Sequence, residues 1–183
     1  MLTAEEKKLC IQIVKESIAH RLGITDQIPP CPDIDIFKAK EHGLFVTLHK
    51  NAQLRGCIGY IQPYNTLYLS LVDLAKMAAF KDPRFKPVTK DEYPELDYEI
   101  SILSELYPVT DHNEITVGRD GLIVIHQNSS GLLLPQVATQ YNCDRDTFLK
   151  QTCHKAGLDA SILHDKKTQV LRFEAEVFSL IEN

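Results

Sequence analysis

The chain has 183 residues, 44% of them hydrophobic and 25% charged, with a formal net charge of −5, a balance that suits one globular core with room for a smaller lobe. No Lys/Arg run exceeds two residues, so the extended basic footprint of a nucleic-acid binder is absent. No stretch approaches the roughly 20 apolar residues of a membrane-spanning helix, which argues against a membrane protein.

The start, MLTAEEKKLCIQIVKESIAHRLG, is acidic and amphipathic. It lacks the uninterrupted apolar stretch of a signal peptide, and a cytoplasmic location is expected. Thr3-Ala4-Glu5-Glu6 fits a capping box, and Leu9, Cys10, Ile13, Val14, Ile18 and Leu22 recur on one face of a helix that Gly23 closes. Residues 27–36 hold three prolines and are read as an extended surface run. GLFVTLH (43–49) and QLRGCIGYI (53–61) form a hairpin signal around Lys50-Asn51-Ala52.

Pro63-Tyr64-Asn65-Thr66 is turn chemistry that supplies a cap for LYLSLVDLAKMAAF (67–80), whose Leu67, Leu71, Leu74, Ala75 and Ala78 make an apolar stripe. Asp82-Pro83 stops that helix, because proline pushes the residue before it out of the α region. Thr89-Lys90-Asp91-Glu92 is a second capping-box pattern. In the strand-like run 96–106, Leu96, Tyr98, Ile100 and Ile102 alternate with Asp97, Glu99, Ser101 and Leu103. Residues 115–126 read as a hairpin around Gly118–Gly121, and Asn128–Gly131 as a further turn leading into LLLPQVA. Asp144 caps a helix that Gly157 closes, with Phe148, Leu149, Thr152, Cys153 and Ala156 at helical spacing. A last strand over 169–181 is expected to bury Leu171, Phe173, Ala175 and Val177. Helices mixed with hairpins predict an α+β fold, mainly antiparallel sheet flanked by helices.

The five cysteines, Cys10, Cys31, Cys57, Cys143 and Cys153, are odd in number and widely spaced, which argues against a disulfide framework. No CxxC or HxxxH pair offers a local metal clamp, so no metal site is predicted. Cys57 stands out, because LRGCIG places it between Gly56 and Gly59 within a strand. Regular alternation would put Arg55 and Cys57 on the same face, where a guanidinium favours a thiolate. The glycines would let a ligand or another backbone come close. Equally, Cys57 is a core residue and the glycines mark a bulge.

A nucleophile needs a base, and His49 on the paired strand and His126 at a strand end are the candidates. In Asp82-Pro83-Arg84-Phe85, Arg84 either clamps an anion or pairs with Asp82 to fix the helix exit. Glu99 and Ser101 share a face that lines a polar cleft or is the wet side of a strand. Gln136, after Pro135, either offers its amide to a ligand or starts a helix.

LRGCIG, then DPRF, GLLLPQVA and TCHKAGL, in that order, resemble the AMMECR-type domain family, whose prokaryotic members are called AmmeMemoRadiSam system protein A. The resemblance covers nearly the whole chain. It implies one domain over 1–183 with two unequal lobes, the larger built from both termini and the smaller from the middle of the chain. It also implies a cleft between lobes near LRGCIG. It picks out Leu54 to Gly59, Asp82 to Phe85, Leu134 to Gln136, and Thr152, Cys153, Lys155 and Gly157. Relatives encoded beside Memo-like and radical-SAM proteins imply those as partners. The family brings no settled activity, and no cofactor is named. One departure is the absence of tryptophan: Cys143 and Ile162 or Leu163 stand where family members commonly carry it.

Together these features imply an enzyme or enzyme component that binds a small anionic or carbonyl-bearing molecule. Cys57 would be its nucleophile, with Arg55, Gly56, Gly59, Asp82, Arg84 and Gln136 on the ligand side and His49 or His126 as base. The alternative is a non-catalytic scaffold for the pathway partners.

Overall fold

The structure, a computed structural model, describes residues 2–179. The chain forms two compact units, one from the chain up to Leu103 and again from Glu176, the other from Ser104–Ala175.

In the first unit, helix α1 (Ala4–Leu22) starts at the expected capping box: the Glu6 N–H donates to Thr3 Oγ1 (3.2 Å) and the Thr3 N–H to the Glu6 carboxylate (2.7 Å). Gly23, at φ +66°, closes it in the left-handed conformation that glycine tolerates. The run expected to stay extended over 27–36 instead enters a single helical turn, α2 (Asp35–Lys38). That turn delivers Phe37, fully buried, to the core.

Strands β1 (Leu44–Lys50) and β2 (Gln53–Tyr60) form the predicted hairpin. Its two-residue turn places Asn51 and Ala52 at positive φ, the geometry that matches strand twist. Helix α3 (Leu67–Phe80) follows, capped by Thr66, and β3 (Leu96–Leu103) pairs with β1. The order is therefore β2-β1-β3, every pair antiparallel. Helices α1 and α3 pack together over one face, which presents Leu44, Val46 and Leu48 from β1 and Tyr98, Ile100 and Ile102 from β3. Each fully buried Leu or Ile in this layer contributes about 1.5–3 kcal/mol.

In the second unit, β4 (Tyr107–Pro108) and β5 (Asp120–His126) both pair with β7 (Thr168–Ser179, of which the part up to Ala175 belongs to this unit), and β6 (Ser129–Leu133) pairs with β5. The hairpin expected around residues 118–121 is not formed. The Asp120 carboxylate accepts the Thr116 N–H (2.8 Å) and the Asp120 N–H reaches back to the Thr116 carbonyl, winding 116–120 into a turn. The hairpin forms one strand later, at Gln127 and Asn128, so Ser129–Gly131 are strand rather than turn. Helices α4 (Pro135–Gln140) and α5 (Arg145–Lys155) complete a core of Leu122, Val124, Phe148, Leu149 and Cys153. Along β7, Val170 and Phe173 are buried, whereas Val177, expected inside, is exposed. Residues 180–181 of the predicted strand lie outside the described residues.

The fold is α+β, as the mixed pattern implies. Among the described residues no helix is long and apolar enough to cross a membrane.

Candidate functional site

The hairpin turn pairs Lys50 with Gln53 and His49 with Leu54, but the next pair is Leu48 with Gly56. Arg55 is thus the extra residue of a β-bulge. Without it, the register would set Cys57 opposite Val46, on the helix-covered face. With it, Cys57 lies opposite Thr47, and Gly56 turns to the helix side. The two glycines are explained by contact: a Cβ on Gly56 would stand 2.2 Å from the Ala78 carbonyl oxygen of α3, and one on Gly59 2.3 Å from the Phe45 ring.

The bulge corrects the expectation that Arg55 and Cys57 share a face. Arg55 donates to both carboxylate oxygens of Glu92 (3.1 Å each) and to the Lys86 carbonyl (2.8 Å). The charges that act most on the thiol are instead those of Arg84, Asp82 and Glu99.

Cys57 is half-buried and lies in a cross-strand row, with Thr47 beside it and Glu99 beyond Thr47. Phe45 and Ser101 are paired on the same face, and His49 follows Thr47 two residues along it. Every polar group of Cys57 is held by a side chain. Thr47 Oγ1 donates to its sulfur (3.3 Å), its N–H donates to Asp82 Oδ2 (2.9 Å), and its carbonyl accepts from Arg84 Nη2 (3.1 Å).

Asp82 and Arg84 are themselves locked together. Arg84 Nε and Nη2 donate to the two Asp82 oxygens at 2.9 and 2.6 Å, and the Arg84 N–H adds a third bond at 3.1 Å. The proline between them and the end of α3 at Phe80 present this pair to the outer edge of β2. There it satisfies a strand edge that would otherwise stay open. The Asp82 side chain is 1% exposed and that of Arg84 46%. The bonds from Arg84 hold the Asp82 carboxyl at about 2.

Burial pushes the Cys57 thiol up from its ordinary value. The Thr47 hydrogen bond and the Arg84 charge act against the rise, and the charges of Asp82 and Glu99 add to it. At neutral pH the group is a thiol, not a thiolate. Burial likewise raises Cys10, to about 12, and Cys153, both on core faces, while Cys31 is exposed and Cys143 half-buried.

Of the other candidates, His126 belongs to the second unit, where its Nδ1 lies 2.9 Å from Thr168 Oγ1. Gln136 is also there, second in α4 behind Pro135. Two residues escaped the sequence reading. Thr47 is hidden by the bulge, which no local pattern betrays. Glu92 was legible only as a capping residue for Thr89, a role it keeps (Thr89 N–H to Oε2, 3.2 Å) while also holding Arg55. Among the described residues no group of three or more His, Cys, Asp or Glu is gathered to hold a metal ion.

The family model described as AMMECR1 matches residues 8–178. A protein of Methanothermobacter thermautotrophicus is 39% identical over 184 residues, covering 97% of this chain and 95% of its own. Protein TV1384 of Thermoplasma volcanium is 40% identical, covering 94% and 88%. Among solved structures, the crystal structure of the uncharacterized protein PH0010 from Pyrococcus horikoshii superposes with a TM-score of 0.90 at 34% identity, covering 97% of this chain and 93% of that one.

Proposed function

The chain belongs to the AMMECR1 family, and from that premise we propose a cytoplasmic enzyme or enzyme component that binds a small anionic or carbonyl-bearing molecule against the Cys57 face. Cys57 is the contact thiol and nucleophile. The observation that supports this reading is the fixing of one half-buried cysteine at its N–H, carbonyl and sulfur by three separate side chains. Such support from surrounding residues is what a reacting group needs to stay in position. Arg84, half-exposed beside it, supplies positive charge for the ligand's anionic or carbonyl oxygen. Because the resting group is a neutral thiol, attack requires a base, and His49, on the same face, takes that proton.

The test is ligand protection. Pyruvate, glyoxylate and oxaloacetate are offered to the native protein, and alkylation of Cys57 by iodoacetamide is followed by peptide mass spectrometry, with the exposed Cys31 as internal reference. At least one compound should slow Cys57 without slowing Cys31. Failure of every compound to slow Cys57 relative to Cys31 would sink the reading.

A second reading, a non-catalytic scaffold for Memo-like and radical-SAM partners, is favoured by the raised thiol pKa and by the packing roles of Gly56, Gly59 and the Asp82–Arg84 pair. It expects Cys57→Ser to leave co-purification of those partners, and the output of their pathway, unchanged.

A further inference from the structure

The second unit holds a cavity of about 410 Å³ in which the reading above has no part, within the roughly 300–1,000 Å³ range of small-molecule sites. Three segments form it: the turn beginning at His112, the first half of α5, and the turn Ala160–His164. Its floor is apolar, made by Leu149, Ala160 and Leu163, with Leu149 2% exposed and part of the core. Its exposed rim is polar, with Asp146 and Lys150 from α5 and Ser161 and His164 from the late turn, and the half-buried His112 completes the lining.

The two permanent charges on that rim are informative. Asp146 and Lys150 stand four residues apart on one helix, a spacing at which such side chains readily pair. Neither takes part in an ion pair or hydrogen bond among the described residues. The Lys150 charge is felt by Asp144, which caps α5 by accepting the Thr147 N–H, but the two form no ion pair. The cavity therefore offers one open cation and one open anion above an apolar floor. A simple anion would meet Asp146, and a simple cation would meet Lys150. A wholly apolar guest would strip water from both charges without replacing it.

We propose that this cavity binds a free α-amino acid with an aliphatic side chain. The carboxylate sits at Lys150, with the Ser161 hydroxyl and the His164 ring as further donors. The ammonium sits at Asp146, and the side chain lies over Leu149 and Leu163.

The probe is L-leucine, titrated into ¹⁵N-labelled full-length protein and followed by amide shifts. 4-Methylpentanoate, lacking the ammonium, and isoamylamine, lacking the carboxylate, are titrated in parallel. Leucine should give saturable shifts at Leu149, Lys150, Ser161 and His164, with each analogue at least about tenfold weaker, the loss of one charged contact. Asp146→Asn should remove the preference over 4-methylpentanoate, and Lys150→Gln the preference over isoamylamine. Both positions are exposed, so the fold should survive either change, which the unperturbed remainder of the spectrum verifies. Absence of saturable shifts with leucine, or equal binding of either analogue, would overturn the assignment. Cys57→Ser should leave leucine binding intact, so this site and the Cys57 face stand or fall separately.

Discussion

Replacing Asp82 with asparagine removes the charge on which Cys57 and Arg84 converge while keeping the size of the side chain. The wild-type carboxylate accepts four hydrogen bonds: from the Cys57 N–H, from the Arg84 N–H, and from Arg84 Nε and Nη2. Asparagine keeps one oxygen and turns an NH2 group toward donors, leaving part of Arg84 unpaired. The magnitude follows from the pKa. On folding, the carboxyl falls from 3.8 to about 2, and at about 1.4 kcal/mol per pKa unit the ionised form gains roughly 2 kcal/mol. The half-exposed guanidinium of Arg84 keeps the figure below the ~3–5 kcal/mol seen when wholly buried pairs are broken.

The sign follows from the direction of the shift. A depressed carboxyl pKa stabilises the fold above 3.8, and this contribution is lost as pH falls through about 2. Asp82→Asn should therefore be about 2 kcal/mol less stable at pH 7, with the gap to wild type closing between pH 4 and pH 2. Urea denaturation across that range measures the gap, and hydrogen exchange of the Cys57 amide reports the same loss at the bond itself. A deficit that stays constant with pH, or a pH 7 deficit below about 0.5 kcal/mol, the scatter of ordinary surface changes, would refute the argument.

Two further outcomes concern the same strand. Gly56→Ala places a Cβ 2.2 Å from backbone at Ala78, and should cost about 3 kcal/mol or more, since neither strand nor helix can yield cheaply. A melting curve close to wild type would contradict it. For the thiol, alkylation of Cys57 should rise with pH through a midpoint above the ordinary thiol range. Glu99→Gln should move that midpoint down and Thr47→Val should move it up, the first by removing a negative charge, the second by removing the hydrogen bond to sulfur. Shifts in the opposite senses would show that other groups control the sulfur.

Much of the architecture was legible residue by residue. The capping box at Thr3 and Glu6, the left-handed stop at Gly23, the apolar stripe from Leu67 to Ala78 and the Asp144 cap are local devices. Their hydrogen bonds close within four residues, so the chain states them outright. The second unit was read less well between residues 115 and 131. There the Asp120 carboxylate bends the chain at Thr116, and glycine spacing alone does not announce such a bond. Phe37 likewise needed a core to pull its segment into a turn.

The sequence by itself determined that LRGCIG would be a strand of a hairpin, because alternation and turn chemistry are short-range. Which way its cysteine points was decided only by tertiary structure. One inserted residue, Arg55, drawn to Glu92 and the Lys86 carbonyl 31 or more positions away, shifts the register and carries Cys57 from the helix-packed face to the row of Thr47 and Glu99. A strand's period is two residues, so a bulge of one exchanges its faces. The partners that draw Arg55 out of line are distant in the chain, and no pattern within the strand records them.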